Sequence, residues 1–508
     1  MKKLLIIAVA FIAGACTDLD LEPSGSITKE QFFQTEDDGI AAINGVYQSL
    51  TYTAQEQALY GRNLYFLTDM GTDYAAAGAS ASNFHVQSVS KLAIVPANDR
   101  VALVWRQIYN GINRANVAID NIPDISGDEA LKNRLINEAR FIRALLFYNA
   151  VRLWGDVPLP LHEAQKYDVA ELKIGRTAKE TVYQQIITDL VAAQELPDAY
   201  TGDDIGRPTS GSAYALLADV YLTRKEYDRA AETAQFIIDN ASRWGYRLVD
   251  KFSDLFTNPA TKNGPEHIFS VQFENGQSGV TGSTGQTLAS TSYYGPVGIE
   301  PPDVPASDEA GYLRFDPADT RRTVSYLKQY PNPIGLNEDG TPAYYPPYPR
   351  ALFIKWVSSI TKFTGRGADP INFPVIRYSE ILLILAEAIG EQGAPTAAAY
   401  EAVNQVRRRA FGKLPVTAAS PEVDLSGLTQ QQFIQAVRDE RFFEFVQEGK
   451  RWFDLVRWGT LVEAIKDVEY NGSKLKEAVS DRSYLYPIPQ EQRELNPDGL
   501  PQNPGYAD

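Results

Sequence analysis

One spacing recurs in this chain and limits what it can fold into. Tyr214-x2-Leu217-Ala218-x2-Tyr221, followed by Tyr227, Ala230 and Ala234, sets a large, large, small, large series on one helix and small residues on the next. The pattern returns 168 residues later as Leu382-x2-Leu385-Ala386-x2-Ile389, with Ala398 and Ala402 in the following helix. Small inner residues let paired helices approach closely, while the larger ones fill the groove between neighbours. A helical hairpin of this kind cannot bury its apolar face alone, so other helices must complete a stack.

The rest of the chain offers such helices. Thr35 with Asp38 forms a capping-box pattern ahead of Ile40, Ile43, Val46, Tyr47 and Leu50 on one face. A second helix is expected from about Val101 to Ile119, with Trp105, Ile108, Ile112 and Ala115 at helical spacing. A third runs from Leu131 to Leu153 and stops at Gly155-Asp156-Val157-Pro158. Thr177 with Glu180 predicts another start before Val182, Ile186 and Leu190. Between the two copies of the repeat, Trp244 to Pro374 is rich in Gly, Pro, Ser, Thr and Tyr, with strand candidates at His267–Phe273 and Leu352–Val357. A segment that long does more than connect. The expected fold is mainly α: a tetratricopeptide-like superhelix with a large loop-rich insertion containing short strands.

The N-terminus reads as an export signal. Met1-Lys2-Lys3 precedes a ten-residue apolar run, Leu4 to Ala13, too short to cross a bilayer. The run ends in Ala13-Gly14-Ala15 before Cys16, which resembles a bacterial lipobox and predicts cleavage and lipidation at Cys16. Asp18, Asp20 and Glu22 then form an acidic tether. The expected organisation is therefore a signal at 1–15, a tether at 16–27, a helical scaffold at 28–243 with a smaller loop-rich insertion at 51–98, the insertion at 244–374, and helices with an extended Pro-rich tail at 375–508. Cys16 is the sole cysteine, which excludes internal disulfides and Cys-rich metal sites, and His85, His162 and His267 fall in no metal-binding spacing. No metal or cofactor is expected. A formal net charge of −16 argues against nucleic acid as a partner.

Several segments together resemble the SusD/RagB family of outer-membrane nutrient-binding lipoproteins. They are Cys16 through Leu21-Glu22-Pro23, Phe32-Phe33 with Gly45-Val46-Tyr47, and Ile112-Asn113-Arg114-Ala115-Asn116. Glu138-Ala139-Arg140-Phe141 through Trp154-Gly155-Asp156-Val157-Pro158 adds to these, as does Glu440-Arg441 through Arg451-Trp452-Phe453-Asp454-Leu455. Tyr486-Pro487-Ile488-Pro489 and Gln502-Asn503-Pro504-Gly505-Tyr506 complete the set, in order over nearly the whole mature chain. The resemblance implies a tetratricopeptide-like fold, a lipid-anchored position on the outer membrane, a glycan ligand, and a SusC-like TonB-dependent transporter as partner.

Sugars present apolar C–H faces ringed by hydroxyls, so a binder needs rings to stack on and amides, carboxylates or guanidinium groups to meet the hydroxyls. Loop 69–90 offers Asp73, Tyr74, Asn83 and Phe84, with Asp69 and Gln87, around the small residues Ala75 to Ala81. The insertion offers Tyr293, Tyr294, Tyr345 and Trp356, with Gln286, Tyr344 and Tyr348. Rings in helices, such as Trp105, Tyr214 and Tyr221, belong to the core. Glu440, Glu444 and Glu448 share a helix face beside Arg441, Arg451 and Arg457, a pattern of structural ion pairs rather than catalysis. Arg140 and Arg143 read as buried pairs, Thr209 as an N-cap, and Arg407-Arg408-Arg409 as charge at a helix C-terminus. The reading is a non-enzymatic receptor for an oligosaccharide. An oligopeptide receptor, a glycoside hydrolase with a carboxylate pair flanking a cleft, and a helical-repeat adapter are the alternatives.

Overall fold

The computed structural model describes residues 29–51, 58–77, 83–164, 172–273, 299–300, 311–327, 331–336, 342–344, 352–353, 355–356, 371–470, 473–474, 476 and 478–507. Its helices include α1 (Glu36–Gln48), α2 (Leu64–Thr68), α3 (Phe84–Ser90), α4 (Asp99–Asn121), α5 (Glu129–Trp154), α6 (Lys179–Ala193), α7 (Ser210–Thr223) and α8 (Tyr227–Asp239). Short helices α9 (Gly311–Arg314) and α10 (Thr320–Ser325) follow, then α11 (Tyr378–Gln392), α12 (Ala397–Ala410), α13 (Gln430–Phe445) and α14 (Arg451–Trp458). The strands used below are β1 (Ala76–Ala77), β2 (His267–Val271), β3 (Ile299–Glu300), β4 (Tyr326–Leu327), β5 (Leu352–Phe353), β6 (Phe373–Arg377), β7 (Glu469–Tyr470) and β8 (Ser473–Lys474).

Helices α4 to α8 pack each against the next, and α8 packs directly on α11 as though the residues between them were absent. Helix α11 then meets α12 and α13, so the stack continues to the end of the repeat region. The small positions behave as their spacing requires: Ala218, Ala230, Ala234, Ala386 and Ala402 are buried between helices. Ala398 is an exception. It lies in the first turn of α12 and faces solvent, while Ala399 is buried with Ala402, Val403 and Val406. Thr35 and Asp38 form the expected capping box. Helix α6 instead begins at Lys179, whose amide donates to Asp156 Oδ1 at 2.9 Å, while Thr177 is drawn into a bridge with Val157. Gly155, at φ +74°, makes the turn that ends α5.

Strands β2 and β6 pair antiparallel, His267 opposite Arg377 and Val271 opposite Phe373, and close the base of the insertion. Ser212 Oγ of α7 donates to the Ile268 carbonyl at 2.8 Å and fastens that base to the stack. The tail returns across the scaffold: Tyr486 N donates to Leu153 O at 2.8 Å, and Asn503 Nδ2 donates to Trp154 O at 3.0 Å. Two hydrophobic clusters result. The main one fills the stack. The smaller, of Tyr65, Phe66, Met70, Tyr74, Ala75, Ala77, Phe315, Tyr326, Phe442 and Val446, lies beneath the loops.

Candidate ligand-binding face

The second cluster brings the two loop-rich regions together. Helix α2 ends at Thr68, and the turn that follows runs into β1, which pairs with β3 of the insertion: Ala76 opposite Glu300, Ala77 opposite Ile299. Strands β4 and β5 pair nearby, Tyr326 opposite Phe353. Val86, Tyr312, Phe353 and Phe443 pack half-buried on the outside of this cluster. Arg322 stacks over Tyr312 at 4.0 Å, and Arg314 stacks over Phe442 at 3.8 Å. Rings beside guanidinium groups at a half-buried surface are the chemistry a sugar or another polar, ring-shaped ligand requires.

The candidate site residues divide by place. Phe84, at the start of α3, is 68% exposed, the largest value among the exposed large hydrophobic side chains described. Asn83 is also exposed, but its side-chain oxygen caps α3 by accepting from the amides of His85 at 2.9 Å and Val86 at 3.1 Å. Tyr74, by contrast, is 0% exposed: its hydroxyl donates to Asp69 Oδ1 and accepts from the Gln447 amide at 2.9 Å, and its ring packs on Phe353 and Phe442. Trp356 is 2% exposed, stacks on Phe373 at 5.1 Å and donates to the Gln447 carbonyl at 3.1 Å. Asp73 is buried between Arg451 at 2.6 Å and Arg314 at 3.1 Å. All three side chains are buried, Tyr74 within the second cluster and Trp356 within the main one, because each is taken up by a partner far away in sequence. Tyr293, Tyr294, Tyr345 and Cys16 lie outside the described residues, as do Gln286 and Tyr348. The half-buried rings Tyr312 and Phe353 were not singled out in sequence. Neither stands in a ring cluster, and only the strand candidate over Leu352–Val357 drew notice to the second.

Beneath the face lies a buried ionic lattice. Arg377 reaches Glu266 at 2.6 Å, Glu444 at 2.8 Å and Glu448 at 2.8 Å. Arg321 reaches Glu440 at 2.7 Å and Glu444 at 3.0 Å, and Arg409 and Lys355 complete the set through Glu444 and Glu448. Burial alone would raise the Glu444 carboxyl, but Arg409, Arg377 and Arg321 override it and hold it well below the usual range. The Glu440, Glu444 and Glu448 carboxylates are thus paired and shut away from solvent, which suits structure and not acid–base chemistry. Arg143 makes the expected buried pair, bidentate to Asp189 at 2.8 Å. Half-buried Arg140 donates to the neutral Asn137 instead, at 3.1 Å. Arg407, Arg408 and Arg409 stand in the last turn of α12 as expected, and Arg408 and Arg409 are in addition buried ion pairs with Asp424 and Glu266. Thr209 caps α7 as expected.

Other groups near the face are shifted by burial. Asp69 is pushed up to about 7 by burial, against the hydrogen bonds of Tyr74, Thr68 and the Gly449 amide. Lys355 is pulled down to about 8 by burial despite Glu448. A separate concavity of about 360 Å³ lies on the scaffold between Tyr200, Arg207, Tyr246 and His267. Its Arg207 is already engaged by Glu138, Asp204 and Asn44. No group of metal-ligating side chains is present among the described residues.

Comparison with known proteins gives a consistent picture. A family model described as "SusD family" matches residues 316–506, and one described as "Starch-binding associating with outer membrane" matches residues 28–222. The chain is 31% identical over 530 residues to "SusD-like protein P2" of Formosa agariphila, covering 99% of each. A solved SusD homolog from Bacteroides thetaiotaomicron superposes with a TM-score of 0.76 at 24% identity, over 94% of this chain and 98% of that one. A structure described as a laminarin binding SusD-like protein superposes with a TM-score of 0.70 at 26% identity, over 93% of this chain and 100% of that one.

Proposed function

The chain belongs to the SusD family, and from that premise we propose that it is a lipid-anchored, non-enzymatic receptor of the outer membrane, held through Cys16 at the cell surface, that binds a glycan and passes it to a SusC-like TonB-dependent transporter. The observation that carries the reading is the second hydrophobic cluster, whose outer side bears Tyr312, Phe353 and Phe443, and on which Val86 seats α3, the helix that begins at exposed Phe84. A sugar ring stacks there through dispersion and C–H contacts, and the neighbouring guanidinium and amide groups take its hydroxyls. The likeness to a laminarin binding protein makes a β-glucan the first ligand to test. No described helix is long and apolar enough to cross a membrane, which is compatible with attachment through a lipid.

Calorimetry of the purified, detergent-solubilised protein against laminarin, a starch-type glucan and a set of oligopeptides tests the ligand class. Saturable heat with a glycan supports the reading. Binding of peptides alone, or new reducing ends released at low protein concentration, overturns it. Cys16→Ala should release the protein from the membrane fraction, and continued membrane association would refute the anchor. Co-purification of a β-barrel with the tagged chain tests the transporter.

A further inference from the structure

Lys476 follows strand β8 and is 1% exposed. Its ammonium donates to the carbonyls of Met70 at 2.9 Å and Ala75 at 2.8 Å. No carboxylate oxygen lies within 4.0 Å of it among the described residues, whereas buried Arg377 meets Glu266, Glu444 and Glu448, and buried Arg451 meets Asp73. A buried cation with no carboxylate in contact is costly, and among the described residues the two carbonyl bonds are its direct partners.

Those two bonds close the turn 70–75 like a clasp. Within the clasp, Asp73 reaches Arg451 of α14 and Arg314 of α9 in the insertion. The turn leads into β1, which pairs with β3 of the insertion, and the Ala77 amide donates to Ser90 Oγ of α3 at 2.8 Å. Helix α3 carries Phe84. The first loop region, the insertion and the C-terminal segment therefore meet on one short stretch of backbone, and Lys476 holds it from beneath.

We propose that Lys476 is a positioning residue of the binding face: by clasping the carbonyls of Met70 and Ala75 it fixes the turn that places β1, Arg314 and α3, and so governs ligand affinity without touching the ligand. The proposal rests on the binding function given above. Burial pulls the Lys476 ammonium down to about 7, with Asp73 acting against the fall. Asp73 is itself held at about 2: burial would raise it, but Arg451 and Arg314 prevail, so its charge is constant near neutrality. The other group on this stretch that titrates near neutral pH is Asp69, pushed up to about 7 by burial and facing Lys355. As pH rises through about 7, Lys476 loses its proton and the charge-assisted clasp weakens. Affinity falls in the same direction.

The test is calorimetry with laminarin from about pH 5.5 to about 8.5 on the wild type, Lys476→Met and Asp69→Asn. Wild-type affinity should fall about tenfold across that range, Asp69→Asn should keep the fall, and Lys476→Met should be weaker by about tenfold at the acid end and lack it. Wild-type affinity at Lys476→Met, or the same fall in that variant, overturns the proposal. Hydrogen exchange at the amides of residues 70–77 in the wild type, corrected for intrinsic rate, decides without a variant. Protection lost above about pH 7 supports the clasp, and constant protection overturns it. A wild type that binds no glycan but shows that loss of protection sinks the glycan reading and leaves the clasp standing.

Discussion

The helical stack and the loop-bearing face are both packed with aromatic rings, yet they are held together by different forces. In the stack, Ala218, Ala234, Ala386 and Ala402 bring helices close, and stability is spread over many small contacts between neighbours in sequence or in the stack. The insertion is attached through β6, α10 and the Lys355 segment, all of which converge on Glu440, Glu444 and Glu448 of the C-terminal motif. A periodic scaffold tolerates local damage. A face tied down by a few shared charges does not.

The largest expected effect follows from that difference. Glu444→Ala removes the carboxylate that Arg321, Arg377 and Arg409 share and leaves three buried guanidinium groups one partner short, with Glu440, Glu448 and Glu266 to hold them. The expected loss is about 3–5 kcal/mol. Chemical denaturation should show it, together with proteolysis inside 274–370 that precedes cleavage of the stack. A loss below about 1 kcal/mol would break the contrast, because the lattice would then be redundant.

The same contrast governs what could be read from the sequence. The stack was legible because its signal is local: Tyr214, Leu217, Ala218 and Tyr221 lie within one helix, and their spacing alone dictates their environment. Two helix starts escaped: Ala398 faces solvent in the first turn of α12, and Thr177 bridges to Val157 instead of capping α6. Glu440, Glu444 and Glu448 are structural ion pairs as expected, but α13 ends at Phe445, so Glu448 leaves the shared face, and their partners are the distant Arg321, Arg377, Arg409 and Lys355 rather than Arg441, Arg451 and Arg457. The face was legible as a region and not as residues. Tyr74 and Trp356 are ordinary loop rings until the Gln447 backbone, 373 and 91 positions away, takes both of them into the interior. Asp73 likewise finds Arg451 only in three dimensions. Burial in a loop depends on long-range partners that no short window contains.

Acid should loosen the buried pairs around the face. Asp73 is held at about 2 by Arg451 and Arg314 against the effect of burial, below its usual 3.8. Its stabilising contribution is therefore complete above about pH 4, and it is lost as pH falls through about 2. The size is about 2 kcal/mol by linkage. Asp454, held at about 2 by Arg441 and Arg457 despite burial, falls in the same window. Thermal melts between about pH 5 and about 2 should show the decline, and Asp73→Asn should flatten its share. An unchanged slope in that variant would move the acid sensitivity away from the face. On the scaffold side, Ile237→Val within α8 should cost about 1 kcal/mol at every pH, with no change in glycan binding.

Phe84→Ala carries the smallest effect on stability and the sharpest on function. The ring is largely exposed and begins a helix that Asn83 already caps, so its removal should shift unfolding by less than about 0.5 kcal/mol. If the face binds sugar by stacking, the same change should weaken glycan binding by about 1 kcal/mol, measured by calorimetry beside the melt. Tyr74→Phe provides the opposite case. It removes the hydroxyl that links Asp69 to the Gln447 amide and leaves those buried groups unpaired, so it should lower stability by about 1–3 kcal/mol. Equal losses of stability in the two variants would mean that Phe84 also packs the fold. Unchanged affinity in Phe84→Ala would leave stacking to Tyr312, Phe353 and Phe443, the half-buried rings at the rim of the cluster.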